Sequence, residues 1–153
     1  MTEAIEEHAT ALADAIEAAL PGWITGNILR VAQAQTGEVS PELATAAAGA
    51  GRQVQTQTGP AIRDLLASDI DAQRTTPLAL LRQAVRVPTQ VLRDAGMVPV
   101  ARDRFAREAF PDDDYDLSPA SWADIDPSLT ELGITWGAAK AFEHRRRHRS
   151  PGD

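Results

Sequence analysis

Apolar side chains recur along this 153-residue chain every three or four positions, and no stretch alternates apolar with polar as a half-buried strand would. That period commits the chain to helices. Each helix must bury its apolar stripe against other helices, so the expected fold is all-α, a single-domain helical bundle over 1–147 with a frayed tail at 148–153.

A first helix is expected over 2–20. Thr2 caps it, Glu3, Glu6 and Glu7 sit at the positive end of its dipole, and Ile5, Leu12, Ile16 and Leu20 share a face. Pro21-Gly22 reads as its end. A second helix over 23–35 carries Trp23, Ile24, Ile28 and Val31, and Gly37 closes it. Ser40-Pro41-Glu42 starts a third, over 41–68, with a capping hydroxyl, a first-turn proline and an acid in sequence. Its stripe is Leu43, Ala47, Ala50, Val54, Ala61 and Leu65, with a kink or break expected at Gly59-Pro60. The stretch 46–58 holds few bulky side chains. It fits either a helix packed very close to a neighbour or one weakly ordered.

The middle of the chain is regular in another way. Pro77, Pro88 and Pro99 are spaced by eleven residues, and each is followed five positions on by Arg82, Arg93 or Arg104 and seven positions on by Ala84, Ala95 or Ala106. Two of the units share an apolar pair, Leu80-Leu81 and Val91-Leu92. Each proline suits a first helical turn and disfavours helix just before it, so 76–109 should form three short helices. A loop at 111–118 follows. Ser118-Pro119 starts a short helix with Trp122, and Asp126-Pro127 starts a long last one, to about residue 146, with Leu129, Leu132, Trp136, Ala139 and Phe142 on its stripe. Gly133 and Gly137 line a second stripe and mark a close approach by a neighbour if that helix is continuous. The expected core is led by Leu12, Ile16, Trp23, Ile28, Val31, Leu65, Leu81, Leu92, Leu129, Leu132 and Trp136.

Charge is sorted into blocks on these helices. The net formal charge is −7 over 1–72, +4 over 73–110, −6 over 111–142 and +2 over 143–153. Such a chain either pairs with itself or offers a basic patch to a partner. The sharpest patch is Lys140, Arg145, Arg146, Arg147 and Arg149, and the Arg82/Arg93/Arg104 edge comes second. The run Asp112-Asp113-Asp114-Tyr115-Asp116 reads as a solvated acidic loop or as counter-charge for one of these arginine segments. It lacks the glycine and distal glutamate of a calcium loop.

Catalytic patterns are missing. There is no Cys, Gly49-Ala50-Gly51 is not followed by the Lys-Ser/Thr of a phosphate loop, and no Ser sits in a nucleophile elbow. Glu42, Asp64 and Asp69 are scattered single acids. His144 and His148 have metal-ligand spacing, but the surrounding arginines repel a cation. No metal or cofactor is expected. No apolar run approaches the roughly 20 residues of a membrane span, and residues 2–8 do not resemble a signal peptide. A cytoplasmic chain is the expectation.

The composition therefore points to a non-catalytic adaptor or regulator that binds another protein through its arginine segments. Nucleic-acid binding through the same residues is the alternative, with the overall −7 working against it. An enzyme with a site between the acidic helices comes third. For self-association, the small-residue stripe at 47–54 and the Gly133/Gly137 groove are the two places that suit a second copy.

Overall fold

The computed structural model describes residues 3–67 and 77–147, without the side chains at 3, 4, 144 and 147. Thr2, Asp69, His148, Arg149 and the 148–153 tail lie outside the described residues, as do the side chains of Glu3, His144 and Arg147. The chain is all-α. Its order is α1 (Glu3–Thr36), α2 (Pro41–Ala67), α3 (Pro77–Ala84), α4 (Arg86–Asp94), α5 (Arg104–Ala109), a single 3-10 turn (Trp122–Asp124) and α6 (Leu129–Arg147).

The two helices expected at 2–20 and 23–35 are one. Pro21 lies inside α1 and does not end it. Proline removes the N–H that would bond the Glu17 carbonyl. Gln55 of α2 supplies the missing donor, its Nε2 reaching that carbonyl at 2.8 Å. Ser40 caps α2 as expected, its Oγ accepting from the Leu43 N–H at 3.1 Å. The helix then runs on through Pro60, so of the kink or break expected there the break does not occur. Leu43, Ala47, Ala50 and Val54 are buried. Beyond them Ile62 and Leu66, not Ala61 and Leu65, take the core positions. Five full turns would put Ala61 and Leu65 in phase with Leu43 and Ala47, so the buried stripe moves one position along between Val54 and Ile62, across Gly59-Pro60.

α1 and α2 pack along their length at the small residues. A methyl group on Gly51 would stand 2.8 Å from Thr25 Oγ1 and 2.9 Å from the Pro21 carbonyl oxygen. The thin stretch of α2 is therefore the close-packed one, and α1 already fills it. Arg63 fastens the far end of the pair, with Asp14 at 2.6 Å and Glu17 at 3.1 Å. Those two carboxylates hold its guanidinium pKa above the ordinary arginine range.

α6 continues unbroken through Gly133 and Gly137 and packs on α1. Gly133 is small because Trp122 lies on it, with indole Cδ1 2.7 Å from where a Cβ would stand. Leu129, Trp136 and Glu143 are buried on this face, whereas Leu132 is half-buried. Phe142, expected in the core, is 62% exposed. Glu143 takes the inward place one position later, ion-paired to Arg146 at 2.6 Å. Asp126 begins the turn into α6 by accepting from the Ser128 N–H at 2.9 Å, so the helix itself starts at Leu129, two residues after Pro127.

Candidate binding groove

The eleven-residue period places two of its three arginines on one wall. Pro88 cannot bond the Ala84 carbonyl, which separates α3 from α4. Val85, between them, keeps right-handed helical angles (φ −61°, ψ −19°). The helical phase therefore survives the interruption. Arg82, Arg86, Gln90 and Arg93 fall at i, i+4, i+8 and i+11, on one face. On the inner face of the same helices Leu81 and Leu92 are fully buried and hold the wall to the core.

The loop at 110–119 forms the opposite wall. Asp113, 5% exposed, organises it by accepting from the Leu117 N–H at 3.0 Å and the Ser118 N–H at 2.7 Å. Arg102 donates to the carbonyls of Phe110 and Pro111. Tyr115, also buried, donates to the Met97 carbonyl at 2.7 Å. Gln35 ties the 97–100 strap to α1, exchanging both hydrogen bonds with Val98 at 2.7 and 3.0 Å.

Between the walls lies a groove of about 440 Å³ lined by Arg82, Arg86 and Arg93 on one side and Phe110, Pro111 and Asp112 on the other. Arg82 bridges it. Its guanidinium carbon stands 5.1 Å from the Phe110 ring centre and its Nε donates to the Pro119 carbonyl at 3.0 Å. Arg93 pairs with Asp114 at 2.7 Å, which raises its pKa, mainly through that hydrogen bond. Within the acidic run, Asp114 is thus counter-charge for Arg93 of the middle arginine segment. Arg86 is exposed and has no carboxylate partner among the described residues. Its Nε reaches the Gln83 carbonyl at 3.3 Å.

The other expected contact residues lie elsewhere. Arg104 opens α5, away from the groove, and pairs with Glu108 at 2.9 Å on the surface. Lys140 lies over the Trp136 ring at 4.2 Å, with burial lowering its pKa. Arg146 is held by Glu143, and Arg145 is exposed. Arg147 and Arg149 fall outside the described side chains. Arg86 escaped the sequence reading because it breaks the eleven-residue period, although its i, i+4 spacing from Arg82 was a usable signal.

The cleft between α1 and α2 near Glu6, Thr10 and Arg63 holds no buried carboxylate pair among the described residues. The buried carboxylates described are Asp113 and Glu143, both engaged as above. No group of three metal-ligating side chains occurs among the described residues, and no helix described is long and apolar enough to cross a membrane. Comparison with known protein families, with curated proteins and with solved structures finds no match to this chain.

Proposed function

We propose that the protein is a non-catalytic adaptor that takes an acidic segment of another protein in the groove between α3–α4 and the 110–119 loop. One observation carries this reading: Arg82, Arg86 and Arg93 converge on a single groove, and Arg86 has no carboxylate of its own there among the described residues. Guanidinium forks give orientation to carboxylates, and Phe110 and Pro111 offer apolar surface beside them. The carboxylates of Asp112 and Asp113 on the far wall limit the affinity for a dense polyanion, which favours a peptide with spaced acids over a nucleic-acid backbone. Arg146 contributes less, because Glu143 already pairs with it within α6.

Selection from a displayed library of random peptides tests this. The enriched sequences should combine acids with an apolar residue, and Arg86→Glu should weaken the best peptide about tenfold or more. Single-stranded oligonucleotides are titrated in parallel over a salt series. Tighter oligonucleotide binding with a steep log–log salt slope, or peptide binding indifferent to Arg86→Glu, overturns the reading.

A further inference from the structure

We infer that the outward face of α6 is a dimer surface for a second copy of this chain, with the two α6 helices packed antiparallel about a two-fold axis at Ala138. The face is exposed along its length at Glu131, Ile134, Ala138, Phe142 and Arg145. Ile134 and Phe142 are 65% and 62% exposed, although the opposite side of the same helix is buried at Leu129, Gly133 and Trp136. At 3.6 residues per turn, Glu131 and Arg145 lie within about 20° of Ala138, and Ile134 and Phe142 about 40° to either side. The five residues form one stripe roughly 21 Å long at 1.5 Å per residue.

The pattern of that stripe is self-complementary. Glu131 and Arg145 are each seven residues from Ala138, and Ile134 and Phe142 are each four. When two copies run antiparallel with Ala138 facing Ala138, every Ile134 meets a Phe142 and every Glu131 meets an Arg145. A parallel arrangement would oppose Glu131 with Glu131 and Arg145 with Arg145, so charge selects the antiparallel one. Neither Glu131 nor Arg145 has an ion-pair partner of its own among the described residues. Ala138, at the axis, is small enough for the backbones to come close. The contact is isologous and closes at two copies. A lone helix pair lies at the low end of interface sizes, so association is weak. Of the surfaces that the sequence suggested for self-association, α1 fills the stripe at 47–54 and Trp122 covers the Gly133 end of the other.

Sedimentation velocity over a concentration series measures it. The intact chain should rise from its 16.4 kDa mass toward twice that value. Ile134→Asp should raise the dissociation constant at least about tenfold, as loss of a central apolar anchor does. Glu131→Arg alone and Arg145→Glu alone should each weaken the dimer, and the two together should restore it. Because the chain has no cysteine, Ala138→Cys adds a single thiol. It should oxidise readily to a disulfide dimer, whereas Glu42→Cys on exposed α2 should not. All positions are exposed, and circular dichroism checks that the helices persist. A mass that stays monomeric at every concentration overturns the proposal. So does a dimer that ignores Ile134→Asp, or one that the double charge exchange fails to restore.

Discussion

Gln55 Nε2 donates to the main-chain carbonyl of Glu17 at 2.8 Å, the acceptor that Pro21 leaves without its helical partner. The contact crosses from α2 to α1 one turn from Gly51, where the two backbones come close. It explains how a proline sits inside a 34-residue helix. Gln55→Ala should cost about 1 kcal/mol, the usual net worth of such a bond plus the exposed acceptor it leaves. Pro21→Ala should remove most of that cost in the Gln55→Ala background, because alanine at this position restores the N–H. Urea unfolding of the four proteins in the cycle reads the coupling, and strictly additive losses would contradict the compensation.

Gly133 and Gly137 look alike in sequence and should behave oppositely. A methyl at Gly133 runs into the Trp122 indole, with Cδ1 at 2.7 Å, whereas a methyl at Gly137 meets nothing within 4 Å. Gly133→Ala should destabilise by about 1–3 kcal/mol through overpacking. Gly137→Ala should stabilise by up to about 1 kcal/mol through helix propensity. Thermal unfolding distinguishes them. Equal shifts in one direction would mean that Trp122 does not rest on α6.

Tyr115 is the chain's one tyrosine, so its ionisation can be followed by tyrosinate absorbance without interference from another phenol. Burial pushes its pKa above the ordinary value, Arg93 opposes the rise and Asp114 adds to it. Below the ordinary value near 10 both folded and unfolded chains hold the proton. Above it the unfolded chain releases the proton first. Stability from this group is therefore complete at neutral pH and is lost as pH climbs through the raised folded value. The native inflection should lie above that of the chain in denaturant. Coincident inflections would place the phenol in water. Tyr115→Phe, which gives up the bond to the Met97 carbonyl, should cost about 1 kcal/mol.

Helix type and most of the core follow from residue spacing. Leu12, Ile16, Trp23, Ile28, Val31, Leu81, Leu92, Leu129 and Trp136 are all buried where the stripes put them. The failures have long-range causes. Whether Pro21 ends a helix depends on a glutamine 38 residues beyond the carbonyl it serves. Phe142 and Glu143 differ by one position, and local pattern favours burying the phenylalanine. The ion pair to Arg146 within α6 makes the opposite choice tolerable. The groove was half visible. Arg82 and Arg93 stood out by their period, but Arg86 required knowing that Val85 stays helical between two helices.

Among the three period-related arginines, only two should affect partner binding. The first two units carry Leu80-Leu81 and Val91-Leu92 ahead of the arginine, and Leu81 and Leu92 anchor α3 and α4 in the core. The third unit has Arg102-Asp103 there instead. Asp103 caps α5 by accepting from the Ala106 N–H at 2.7 Å, and α5 buries none of its residues. Arg104 is consequently left on the surface with Glu108, its side chain 86% exposed. An exposed pair of this kind adds little to stability. Arg104→Ala should leave both the melting temperature and the affinity for the selected acidic peptide unchanged. Arg82→Ala should weaken the peptide, since it strips the bridge between Phe110 and the Pro119 carbonyl as well as a charge. Arg93→Ala should do so too, since it takes a charge from the wall and leaves Asp114 without its partner. Calorimetric titration of the three variants with one peptide decides the matter. Equal losses from all three would return the binding surface to a linear basic edge and remove the groove from it.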